Sequence, residues 1–282
     1  MNNDEYVVNC GKYVSVLRGL GLPEKAVAYL TGELRLPNEV ADVPFHYYGF
    51  PPALIPLWSS QSGPSYYGYW WHWGMERRTT MVHVGVEGGC RVTEYARDLT
   101  QLLTTIALNE VVSDEKVTDG LREFARVAEV DDLEGLERIA WESGDLLYGL
   151  LKRPEFRHDP PVSCFEDERL YPGDFPTKFN VVGKRDLTHF AGLEGEREVA
   201  AVIAAQPDAP EWFRSNRQRE VFDGCLRAGN YSGAWMSLNS SGWSLADAGR
   251  ALAELARRTG DPILFSITDA WIANNPPKIG GY

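Results

Sequence analysis

The sequence predicts an α+β protein: an N-terminal antiparallel sheet packed with helices, followed by a mostly α-helical C-terminal region. Three observations carry this. Runs of alternating aromatic and β-branched residues cluster between 54 and 95, with turn residues between them. Pro37, Pro44, Pro51, Pro52 and Pro56 forbid a long helix just ahead of that cluster. From 110 onward the apolar residues recur at helical spacing instead.

The elements follow in order. Tyr13, Val16, Leu17 and Leu20 share a helical stripe, and after Leu22-Pro23 so do Val27, Ala28 and Leu30. Residues 54–58 form a first strand, closed by the polar turn Ser59-Ser60-Gln61-Ser62-Gly63-Pro64. Residues 66–73 form a second strand and 81–87 a third, with Glu76-Arg77-Arg78 in the turn between them and Glu87-Gly88-Gly89 closing the hairpin. Arg91-Val92-Thr93-Glu94-Tyr95 has the length of one more short strand. Asp98 is a natural N-cap for a helix over 98–108 carrying Leu99, Leu102, Leu103 and Ile106.

Beyond it, Leu121, Phe124, Ala125 and Ala128 mark one helix, and Leu136, Ile139 and Ala140 another. Five prolines and the triplet Glu166-Asp167-Glu168 make 154–176 a long loop. Val199, Ala200 and Ile203 pattern a further helix, and Trp212 to Leu226 the next. Ser244 and Asp247 form a capping pair for a helix that Gly260 ends, and Pro262 opens a last helix carrying Leu264, Ile267 and Trp271. The chain therefore divides into 1–112, an α+β unit with an aromatic hairpin, and 113–282, mostly helical.

Charge is unevenly spread over the 282 residues, whose net charge is −12. Residues 110–174 hold 18 acidic and 8 basic side chains, an excess of ten, while 1–109 carry an excess of two and 175–282 balance. Such a surface repels phosphate backbones and attracts basic partners, so nucleic acid is not an expected ligand. Its acidic patch is expected at Asp131, Asp132, Glu134, Glu166, Asp167 and Glu168; a plain solvated helix surface is the alternative. No basic start with an apolar run opens the chain, no run of eighteen apolar residues occurs, and the four cysteines are far apart without a CxxC. A cytoplasmic protein with reduced thiols is expected.

The common catalytic signatures are missing: GxSxG, GxxxxGK[ST], HExxH, and GxGxxG between a strand and a helix. The five histidines show no metal-ligand spacing with cysteines. No catalytic residue, metal or cofactor is expected, and an enzyme is the least favoured reading, though a Cys/His pair can meet in space without a sequence signature.

The window Tyr66-Tyr67-Gly68-Tyr69-Trp70-Trp71-His72-Trp73 is the most informative in the chain. By alternation, Tyr67, Tyr69, Trp71 and Trp73 share one face. Pairing them with Val82, Val84 and Val86 makes a core face. The opposite face then holds Tyr66, Trp70, His72, Met81 and His83, an amphipathic surface suited to a partner. The competing arrangement covers both faces with helices.

The order of elements resembles the SUKH superfamily. A helical start carrying Leu36-Pro37, then Tyr47-Tyr48-Gly49, Leu54-Ile55-Pro56-Leu57, an aromatic strand, a valine-rich strand and a closing helix follow that family's pattern over about residues 10–110. The resemblance implies a non-catalytic immunity protein that neutralises a cognate toxin, often a nuclease, for whose basic cleft an acidic protein is a suitable mimic. The alternative is a module that takes a small ligand or peptide on the aromatic face. The expected partner is a basic protein toxin.

Overall fold

The computed structural model describes residues 8–37, 44, 49–60, 64–75, 77–86, 90–165, 201, 204–207, 209–276 and 280–282. Helices α1 (Gly11–Gly19) and α2 (Glu24–Leu30) precede four strands, β1 (Leu54–Ser60), β2 (Ser65–Trp70), β3 (Thr80–Gly85) and β4 (Arg91–Ala96). These form one antiparallel meander in the order β1-β2-β3-β4. Pro56 sits in β1, an edge strand, where its missing N–H leaves no gap in a ladder.

Helix α3 (Leu99–Asp114) follows, N-capped by Asp98, whose side chain accepts from the Gln101 N–H at 2.9 Å. Next come α4 (Asp119–Ala128), α5 (Leu133–Glu142), α6 (Leu146–Leu150), α7 (Pro154–Arg157) and a single 3₁₀ turn, Val162–Cys164. The C-terminal array comprises α8 (Glu211–Arg214), α9 (Gln218–Arg227), α10 (Tyr231–Leu238), α11 (Leu245–Thr259) and α12 (Pro262–Asn274). Where one helix was expected from Trp212 to Leu226, the backbone breaks at Ser215, and the Gln218 side chain ties the break by donating to the Trp212 and Ser215 carbonyls. The capping expectations hold for the last pair: Ser244 accepts from Asp247, Gly260 closes α11 at φ +68°, and Pro262 opens α12. The helix expected around Val199 lies outside the described residues.

One buried core runs through both halves of the chain, and position 112 falls inside α3 rather than at a linker. Side-chain amides join the halves by capturing backbone. Asn239 Oδ1 accepts from the Ala53 N–H at 2.7 Å, Asn275 Oδ1 from Phe50 N–H at 3.2 Å, and Asn274 Oδ1 from Asn9 N–H at 2.6 Å. The Trp271 indole donates to the Phe50 carbonyl at 2.7 Å. Among the described residues no helix is long and apolar enough to cross a membrane.

The strand register corrects the expected faces. Tyr66, Gly68 and Trp70 pair with Val84, Val82 and Thr80, so even-numbered residues face even-numbered ones. The valines therefore share a face with Tyr66 and Trp70, and Tyr67 and Tyr69 share the other with His83 and Met81. Gly68 is fixed in place from the other side, since a Cβ there would stand 2.2 Å from the Ile55 carbonyl oxygen. The strand also ends at Trp70, three residues early. Trp71 and Trp73 leave the sheet and pack edge-on against Trp235 of α10, at 5.6 and 6.0 Å between ring centroids.

This geometry reverses the order of sensitivity that alternation suggests. Trp70 is 2% exposed, while Trp71 is only half-buried. Trp70→Ala should cost about 3–5 kcal/mol of stability and Trp71→Ala distinctly less, read from denaturant melts of the two variants.

Candidate functional site

The sequence-predicted binding face does not exist as one surface. Tyr66, Trp70 and Met81 are buried in the core, and His72 is buried in the loop beyond β2. Phe50 packs edge-on to Tyr66 at 5.1 Å. On the other face, His83 lies 4.8 Å from the Tyr67 ring and 6.4 Å from the Tyr95 ring. Burial and the positive charge of Arg91 together lower the His83 pKa, which favours the neutral imidazole. These five residues do not meet at a common opening: the face of Tyr66 and Trp70 is buried, while Tyr67, His83 and Tyr95 on the other face are half-buried.

His72 instead belongs to a polar cluster that the sequence did not announce. Arg91-Val92-Thr93-Glu94 alternates along β4, so Glu94 points to the same side as Val92 and stands opposite Val82. There its carboxylate is fully buried between two guanidiniums. Arg77, from the loop after β2, donates to Oε2, and Arg97 Nη1 donates to the same oxygen at 3.2 Å. The Val162 N–H donates to Oε1 at 3.3 Å. Arg77 Nη1 also lies 2.8 Å from His72 Nε2. Because a guanidinium only donates, that nitrogen must be the acceptor, leaving the ring proton on Nδ1.

The cluster extends outward to the segment after α6. Asp159, partly exposed, bridges Arg97 at 3.0 Å and Arg78. The Gln101 side chain donates to the carbonyls of Glu155 and Asp159 at 2.8 and 2.7 Å, and Ser163 Oγ donates to the Tyr95 carbonyl at 2.9 Å. Arg153 completes the seam with a 2.6 Å bond to Glu155 and donation to the Asp131 carbonyl at 2.8 Å. With its oxygens committed to these donors and no exposure to solvent, Glu94 has no lone pair for a substrate proton. The arrangement is a clamp that straps residues 153–163 to the outer edge strand.

The acids assigned to the patch divide. Asp131 and Glu134 are exposed at the start of α5. Asp132 is exposed too, but its carboxylate caps α5 through the Gly135 N–H at 2.9 Å and lies 3.7 Å from Arg153. Glu166, Asp167 and Glu168 lie outside the described residues. Beside these acids stand two aromatics that sequence reasoning passed over. Trp141 on α5 is 53% exposed and Tyr148 on α6 is 59% exposed, the latter with the Lys152 ammonium 4.6 Å from its ring. A signal existed: Trp141 falls one residue past the apolar stripe Leu136, Ile139, Ala140, turned about 100° away from it. Glu134 and Arg138 occupy the preceding turns of Trp141's own exposed stripe.

The four thiols are unpaired, and each is pushed up by burial: Cys10 to about 11, Cys90 and Cys164 to about 12, and Cys225 in the same direction. A thiolate nucleophile needs the opposite shift. Among the described residues no three histidine, cysteine or acidic side chains gather as metal ligands. Comparison with protein families, with curated proteins and with solved structures finds no match to this chain.

The clamp predicts an asymmetry between charged pairs. Glu94→Gln keeps the shape but removes the negative charge that faces two buried guanidiniums, and should cost about 3–5 kcal/mol. Glu123→Gln, which breaks the exposed pair with Arg126, should leave the melting temperature where it was. Equal melts for the two variants would show that the buried cluster holds nothing.

Proposed function

We propose that this protein is a non-catalytic binding protein whose partner is a basic protein, engaged through the helical surface of α4 to α6. The observation that carries this reading is the exposure of Trp141 and Tyr148 within the segment that holds nearly all of the chain's negative excess. Large aromatics are enriched at the centres of protein interfaces, where they supply anchor energy, while surrounding charge selects the partner and speeds encounter. The sheet exposes no aromatic side chain to that extent: Tyr66, Tyr69 and Trp70 are buried, and Tyr67 and Tyr95 are half-buried. A small-ligand platform made of Tyr66, Trp70, His72, Met81 and His83 together therefore loses its ground.

The SUKH resemblance supplies the biological form of this proposal: an immunity protein that occupies the basic cleft of a cognate toxin. Supporting it are the strand meander closed by an Asp-capped helix and the acidic balance of 110–174. The raised thiols and the fully engaged buried carboxylate fit a protein that holds rather than transforms its partner.

The test is calorimetric titration against the product of the adjacent coding region. Affinity should fall at least tenfold between low salt and about 0.5 M salt, as opposite charges separated by a shortened Debye length lose their attraction. Trp141→Ala should weaken binding at least tenfold with an unchanged melt, the behaviour of an exposed anchor. Affinity that ignores both salt and Trp141→Ala overturns the assignment of this surface.

A further inference from the structure

A second exposed surface lies at the far end of the sequence and has a different character. Helices α11 and α12 form an antiparallel hairpin turned at Gly260-Asp261. Ala246, Arg250, Ala253 and Arg257 recur at i, i+4, i+7 and i+11 along α11, all partly or fully exposed. Phe265, Asp269, Ile272 and Pro276 do the same along α12 and just beyond it. Phe265 is 45% and Ile272 46% exposed, large apolar side chains on a helix whose other face is fully in the core. Between the two rows runs a groove of about 290 Å³, floored by Gly249 and Ala253 and walled by Trp271 and Ile272.

The patch carries both halves of a match. It has an apolar hollow over α11 and apolar knobs on α12. It has a cation, Arg257, on α11 and an anion, Asp269, on α12, while Arg250 is already paired with Asp247 of its own helix. Among the described residues, neither Arg257 nor the Asp269 carboxylate lies within ion-pair distance of an opposite charge. A surface that complements itself in this way fits a two-fold partner, in which each residue contact is made twice.

We propose that this hairpin is the interface of a homodimer, with the second copy of the chain as the occupant of the groove. A two-fold axis lying in the interface and running along the hairpin sets α12 of each copy across α11 of the other, antiparallel. Height along the axis is then unchanged. Ile272 already stands level with Gly249 within one copy, where a Cβ on Gly249 would lie 3.6 Å from the Ile272 side chain. Across the axis, Ile272 therefore meets the groove floor at Gly249 of the other copy. Asp269, one turn earlier on α12, falls between the levels of Arg250 and Arg257 opposite. The acidic helices α4 to α6 take no part, so each subunit keeps its proposed partner surface.

The full-length chain, run by sedimentation velocity from about 1 to 100 μM, should show a species of twice the 31.6 kDa chain mass. Ile272→Asp should raise the dissociation midpoint at least tenfold without lowering the melting temperature, since the side chain is already in water. Asp269→Arg and Arg257→Asp should each weaken the dimer, and the double variant should recover it. A monomer throughout the range overturns the proposal, as does a dimer indifferent to Ile272→Asp. A monomer whose groove instead binds anilinonaphthalene sulfonate, lost in Gly249→Leu, would assign the groove to a small amphiphile and equally overturn it.

Discussion

The carboxylate of Glu94 is the constraint on which the sheet's arrangement with its surroundings depends. A carboxylate taken fully out of water is costly unless cations and hydrogen bonds replace its hydration. Here the replacements come from three separate stretches of chain: Arg77 from the loop after β2, Arg97 from the approach to α3, and the Val162 amide from the strap after α7. None of these is a neighbour of the others in the folding of a local element. Each must be in place before the others lose their own buried penalty, so the cluster couples the loop, the helix start and the strap into one cooperative unit. The strap also shields β4, the outer strand of the meander, whose unpaired edge would otherwise invite association.

The same logic explains what was legible in the sequence. Strands and helices were, because alternation, helical spacing and caps are local properties: β1, β2, β3 and α3 fall where those signals stand, and Ser244, Gly260 and Pro262 act as their types suggest. Register was not. Nine residues separate Trp70 from Thr80, and that odd number sets even residues opposite even ones. The partner of the valine row thus turned on where the strand stopped, which depends on Trp71 and Trp73 finding Trp235 some 160 residues away. Gly68 was a visible clue to a close approach, but the strand it approaches is named only by tertiary structure.

The site was legible in charge and not in shape. The excess of acids over 110–174 is a sum over residues and needs no fold, whereas the fate of each acid does. Asp132 became a cap, Glu129 pairs with Lys25 of α2, and Asp159 joined the clamp, so part of the charge serves the structure. Glu94 shows the limit from the other side. A glutamate in a strand beside Val92 reads as an outward residue, and only its two arginine partners make the inward position tolerable.

Trp141 and Tyr148 then acquire meaning from what the protein does elsewhere with aromatic residues. The core takes in Trp58, Trp70, Trp235, Trp243 and Trp271, and the Trp271 indole N–H reaches the Phe50 carbonyl across 221 residues of sequence. A fold able to bury so many indoles leaves one standing in water on a helix that carries Glu134, Glu137, Arg138 and Glu142. Burying Trp141 in a partner would recover apolar area that folding left exposed, and the surrounding acids would keep that partner basic. Charge alone gives fast but weak and salt-sensitive encounters, and an aromatic alone gives adhesion without choice. Their coincidence on α5 and α6 joins the two.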